Sequence, residues 1–171
     1  MTDKSGVGVT VIGHDSERRT HVNGYNSKGS YSRDIHYTGA SLSQLAGFTR
    51  VSSHCQQFIK YECYYSVLLY SYYGSPYGWW VSSDSTKMTY WGGASINGKC
   101  ACGMTNSCTV SSTVSRFGCN GDKNDNVWRE DSGLLTDKTK LPVKQLRFGD
   151  ASSNGQEGYQ TLGKLKCYGT A

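Results

Sequence analysis

The sequence predicts a strand-dominated α+β fold, organised as a single domain over residues 1–171. Three observations support this. Apolar residues alternate with polar ones in several short segments, the period of a half-buried strand. Only one segment carries a helix start. The 171 residues include 21 Gly, 13 Tyr and 4 Trp but are only 36% apolar, which points to a loop-rich sheet protein whose core rests on aromatics. A chain of this length buries roughly 70% of its unfolded surface, enough for a real core.

In chain order, Val7, Val9 and Val11 alternate with Gly8 and Thr10 and predict a first strand. Arg19–Val22, followed by Asn23-Gly24, predicts a return strand and a turn. Asp34–Tyr37 predicts another short strand. Ser41-Leu42-Ser43-Gln44 reads as a capping box, in which Ser41 and Gln44 satisfy each other's backbone donors. It should open a short helix that buries Leu42, Leu45 and Phe48. Phe58–Cys63 alternates and Ser66–Tyr70 is an apolar run, so both suit central strands. Lys87–Trp91 predicts a strand that ends at Gly92-Gly93, with irregular chain from there to Cys119. Leu141–Phe148 and Leu162–Cys167 predict the closing strands.

Seven cysteines (Cys55, Cys63, Cys100, Cys102, Cys108, Cys119 and Cys167) in a Gly/Tyr/Ser-rich chain read as a disulfide framework formed in an oxidising compartment. Zinc is the alternative, since Cys100, Cys102, Cys108 and Cys119 offer four thiolates. Their spacing is a C-x-C followed by longer gaps, whereas structural zinc sites usually pair two Cys-x2–4-Cys knuckles. An odd count leaves at least one thiol without an intrachain partner, either buried or available to a second chain.

The net charge of +5 comes from scattered residues, so no basic stripe marks a nucleic-acid binder. The nearest cluster, Lys138, Lys140, Lys144 and Arg147, reads as a solvated face or as a contact for an anionic partner. No apolar run is long enough for a membrane span. The opening residues lack the apolar stretch of a signal peptide. Catalytic signatures are absent: there is no HExxH and no G-x-S-x-G elbow. His54 adjoins Cys55, but neighbours along a strand face opposite ways, so they do not make a nucleophile–base pair.

Two segments are candidates for binding. Asp122, Asn124, Asp125, Asn126 and Glu130 crowd oxygen-bearing side chains into a loop of the length calcium uses. The match to a helix–loop–helix calcium loop fails at Val127 and Gly133, and a solvated Asx-rich turn is the other reading. Tyr72, Tyr73, Tyr77, Trp79 and Trp91 lie in or near an aromatic-dense stretch. They suit either a sugar- or peptide-binding platform or the core.

Several landmarks occur together in order: Ser53–Cys63, Tyr77–Trp80, Thr89–Gly93, Lys99–Gly103, Phe117–Asn120, Trp128–Leu135, Leu141–Val143, Gly149-Asp150 and Leu162–Cys167. This series resembles the fibrinogen-like region of neurexin-IV/contactin-associated proteins over about residues 34–169. Through the Cys63 and Cys167 segments it is more distantly similar to fibrillar collagen C-propeptides.

The resemblance implies a fibrinogen-like fold with few short helices and long disulfide-tied loops, placed outside the cell as a secreted or cell-surface protein. It also implies a non-enzymatic role: a binding or adhesion module for an extracellular protein or glycan, with calcium ordering a late loop. The alternative role is a matrix protein that forms oligomers through its strands or an unpaired cysteine.

The family usually reads Cys-Asn-Cys-Asp where this chain reads Cys119-Asn120-Gly121-Asp122. The missing cysteine leaves its former partner free, and the resemblance places that partner in the Cys100–Cys108 cluster. It further implies that Cys63 pairs with Cys119 and Cys55 with Cys167.

Overall fold

The computed structural model describes residues 2–3, 5–70, 74–110, 118–152 and 154–170. Two antiparallel sheets form its frame. The larger is built on two long strands, β4 (Ser52–Tyr64) and β9 (Glu157–Thr170), paired along nearly their whole length. The carboxyl half of β9 also pairs with β1 (Val9–Ile12), and its amino half with β2 (Thr20–Val22). On its other side β4 pairs with β7 (Trp128–Leu135). The smaller sheet runs β3 (Tyr31–Asp34), β8 (Gln145–Phe148), β5 (Trp79–Val81), β6 (Lys87–Met88). Two helices, α1 (Leu42–Val51) and α2 (Ala101–Met104), complete the named elements.

Helix α1 starts where the capping box predicts. Ser41 Oγ accepts from the Gln44 amide at 3.2 Å, and Gln44 Oε1 accepts from the Ser41 amide at 2.8 Å. Leu45 is buried as expected and Phe48 packs on the core, but the second fully buried position is Thr49. Its hydroxyl lies within 3.1 Å of the carbonyls of Ala46, Lys138 and Leu141, which anchors the helix to the loop before β8.

Strand β4 shows why the sheets stack. Its inward positions Cys55, Gln57, Ile59, Tyr61 and Cys63 are all buried. Tyr61 stacks on Phe148 of the small sheet, with centroids 4.1 Å apart and planes within 10°. Gln57 is a buried polar hub. Its oxygen accepts from the Val143 amide at 3.0 Å, and its amide donates to the Gly163 carbonyl at 3.0 Å and to Tyr37 Oη at 2.9 Å. Every polar atom of that side chain is satisfied, so a buried amide is tolerated here.

The apolar run Ser66–Tyr70 is not a strand. Tyr65 takes a left-handed conformation, φ 51°, which ends β4, and the amides of Leu69 and Tyr70 donate to the buried Asp122 carboxylate instead of to a ladder. Val67, Leu68 and Leu69 still bury themselves, so apolar burial without pairing explains the misleading pattern. Only Lys87–Met88 of the expected 87–91 strand pairs. The first two strands do not pair with each other but both add to β9.

Beside β7, the chain at Gly92 crosses so closely that a Cβ on Gly92 would sit 2.3 Å from the Gly133 carbonyl oxygen. This contact lets the Gly93 amide donate to the Leu134 carbonyl at 2.9 Å.

Candidate functional site

Three disulfides are present among the described residues: Cys55–Cys167, Cys100–Cys119 and Cys102–Cys108. The first joins directly opposed residues of β4 and β9. Two expectations drawn from the resemblance are corrected here. Cys119 pairs with Cys100, not Cys63, and the free thiol is the buried Cys63 rather than a member of the Cys100–Cys108 cluster.

The reason is local. A Cβ on Gly121 would lie 2.9 Å from Cys63 Sγ, so the residue that faces this thiol is the one where the family's cysteine is missing. Burial, reinforced by the nearby Asp131 and Asp122 carboxylates, pushes the Cys63 thiol well above its usual range and leaves it unreactive. Covalent assembly through this cysteine is therefore excluded in the native fold.

The same bonds remove the zinc alternative. Cys100, Cys119 and Asp131 lie close enough to share an ion, but both sulfurs are spent on each other. Cys55 is likewise bonded, so it offers no nucleophile beside His54.

Among the described residues, the carboxylates Asp122, Asp125 and Glu130 form no common cluster, and protein groups hold Asp122, Asn124, Asp125 and Glu130. Asp122 is buried, with one oxygen accepting from the Leu69 and Tyr70 amides and the other from Gly118. Asp125 is held by Arg129 at 2.7 Å and Lys123 at 3.4 Å, and the Arg129 bond keeps its carboxyl below the usual range. Glu130 pairs with Lys60 at 2.8 Å, and Asn124 donates to Asp150. Asn126 lies in the exposed part of the loop. Burial pushes Asp122 up to about 7 and the neighbouring Asp131 up to about 6, against the pull of their backbone N–H bonds.

The aromatic candidates separate. Trp91 is fully buried: its indole N–H donates to the Asp131 carbonyl at 3.0 Å, and its ring meets Phe148 edge-on at 5.9 Å. It is a core residue and not a ligand platform. Tyr72 and Tyr73 lie outside the described residues. Tyr77 and Trp79 are half-buried and stand at the outer side of the small sheet, while Trp80 turns inward with no exposure. Alternation along β5 separates the paired tryptophans.

A row of aromatic rings lies on the outer face of the large sheet. Trp128 opens β7 directly opposite Tyr64 of β4, with ring centroids 5.4 Å apart. Tyr159 of β9 lies 5.8 Å beyond Trp128 and stacks on His21 of β2 at 4.8 Å. The Arg19 guanidinium sits 3.5 Å over the Tyr159 ring and bonds Glu62 at 2.7 Å. Arg19, Glu62, Trp128, Arg129 and Glu130 surround a depression of about 450 Å³.

Trp128 is 48% exposed, a large apolar area for a strand residue held between two rings. Sequence reasoning did not single out Trp128, Tyr159 or His21 as members of a binding face. Trp128–Leu135 has polar residues on both phases of its pleat, and only the cross-strand register shows that Trp128, Tyr64 and Tyr159 share a face.

These features define a class: a strand-dominated, disulfide-bonded module of two stacked antiparallel sheets with one aromatic outer face. No family model matches the chain. Its sequence is homologous to a segment of contactin-associated protein 1. The Homo sapiens, Rattus norvegicus and Mus musculus proteins are each 35% identical over 161 residues, covering 94% of this chain. The chain spans 11% of the length of these relatives.

Proposed function

We propose that this chain is an extracellular, non-enzymatic binding module of the fibrinogen-like kind, serving cell adhesion by recognising a protein partner through the Trp128 face. The observation that carries this is the row Tyr64–Trp128–Tyr159–His21 on the outer face of the large sheet, with Trp128 exposed and charged side chains around it. Interfaces of this make-up concentrate binding energy in an aromatic anchor with a polar rim.

The homology supports the setting. The relatives are named for association with contactin, and the corresponding reading for this chain is a protein partner at a cell surface. Disulfides at three places suit an oxidising compartment. The reading does not involve calcium, because the candidate carboxylates are engaged elsewhere.

Trp128→Glu tests it, measured by surface plasmon resonance against a contactin ectodomain. Loss of binding by more than about tenfold with an unchanged melt supports the reading, since one aromatic anchor contributes about 2 kcal/mol or more. Undiminished binding sinks it.

A further inference from the structure

The small sheet presents a second outer face, chemically unlike the first. Strands β5 and β8 set Trp79 opposite Arg147, and Lys87 of β6 pairs with Val81. The pleat turns Trp80, Leu146 and Met88 into the core and leaves Trp79, Arg147 and Lys87 outward. Lys87 Nζ stands 3.7 Å from the Trp79 ring centroid, and Arg147 Cζ is 5.9 Å away. Two residues earlier, Tyr77 carries Lys28 Nζ at 5.3 Å. The edge of Trp79 rests against Gly29, where a Cβ would come within 2.0 Å of the ring, so the indole is fixed in place.

Several cations elsewhere have carboxylate partners: Arg19 with Glu62, Lys60 with Glu130, Lys140 with Asp84, Lys164 with Glu17. Among the described residues, neither Lys87 nor Arg147 lies within ion-pairing distance of a carboxylate; ring faces are their neighbours. Asp34, at the β3 edge of the same sheet, is engaged by the Gln145 amide at 2.6 Å. Partial burial and the charge of Lys28 lower the affinity of Lys87 for its proton.

From this juxtaposition we propose that the Tyr77–Trp79 face, with Lys87 and Arg147, binds a sulfated saccharide chain. Saccharide rings present flat C–H faces that stack on tyrosine and indole, while sulfate oxygens accept charge-assisted bonds from ammonium and guanidinium groups. An open sheet face carrying rings and cations side by side suits a linear, regularly charged polymer. An acidic peptide would gain from the cations but make less use of the rings. This site goes beyond the Trp128 reading and lies on the other sheet, so the two fail independently.

The test is fluorescence-detected binding of a heparin-derived octasaccharide to the 171-residue chain at about 50 mM and about 150 mM salt. The expected result is binding that weakens with salt and falls about tenfold or more in Lys87→Glu and in Arg147→Glu, the loss of one charge-assisted contact. Lys164→Glu, at a basic residue on the large sheet, is expected to leave it unchanged. The fully desulfated octasaccharide is expected not to bind. No binding by the wild-type chain at the lower salt overturns the proposal. So does equal weakening by Lys164→Glu, or a polyglutamate peptide of matched charge binding as tightly as the octasaccharide.

Discussion

Replacing Gly121 with cysteine should create a fourth disulfide, to Cys63. In a disulfide, the Cβ of one cysteine lies about 3.0 Å from the sulfur of the other. The Gly121 position offers 2.9 Å. Gly121 is not among the positive-φ residues, so a side chain is admissible there. The closest competing contact is Asp131 Oδ2, at 3.1 Å from the new Cβ.

The bond would close a loop of 58 residues, for which the chain-entropy model gives about 4 kcal/mol. At this chain size that corresponds to a melting midpoint raised by roughly 8–16 °C, with some of it offset by the crowding at Asp131. Two assays read it. Alkylation under denaturing, non-reducing conditions should label one thiol in the wild type and none in Gly121→Cys, and the gain in midpoint should vanish on reduction of both proteins. Two labelled thiols in the variant, or a midpoint no higher than wild type, would refute the geometry.

Stability should rise on mild acidification. The unfolded carboxyls of Asp122 and Asp131 titrate near 3.8, and in the fold they titrate at about 7 and about 6, so between those limits the native state holds more protons and unfolding becomes easier as pH rises. Urea midpoints at pH 5 should exceed those at pH 8; the reverse order refutes the assignment, since Asp15, lowered to about 2, acts only under more acid conditions. Gln57→Ala should cost about 3 kcal/mol in the same measurement, because it strands the Val143 amide and Gly163 carbonyl and leaves a cavity; a loss under about 1 kcal/mol shows the hub to be dispensable. Millimolar calcium should leave the thermal midpoint within about 1 °C of that in chelator, and a larger rise would revive the loop as a metal site.

The sequence exposed local chemistry better than partnership. The Ser41/Gln44 box was legible because each half of the motif lies within one turn of chain. The Phe58–Cys63 alternation was legible because β4 has one buried face. Ser66–Tyr70 misled because apolar content reports burial, and the hydrogen-bond partner that replaces the ladder, Asp122, is 52 residues away from Tyr70.

The same limit governs the sites. Adjacent Trp79 and Trp80 look equivalent in a string of letters, and only the pleat separates platform from core. Trp91 sits beside the turn glycines Gly92 and Gly93, but those glycines admit a backbone crossing that buries it. Trp128 became visible only through cross-strand register. The arithmetic of seven cysteines correctly left one without a partner, yet which one depended on the space opposite Gly121.

The Cys55–Cys167 bond also determines how the domain would bear a mechanical load. Val9 of the first strand lies opposite Tyr168 of the last, so tension applied outward from those two points peels the β1–β9 ladder one pair at a time instead of shearing it. Once that ladder has opened, the chain from Ile12 to Cys55, which includes β2, β3 and α1, is still in the path of the pull. Extension ends at the sulfur link only when that segment is drawn out, and the polypeptide between Cys55 and Cys167 is bypassed. A domain wired this way would yield a bounded length of slack, set by the residues ahead of Cys55 and not by the 112-residue span that the link closes.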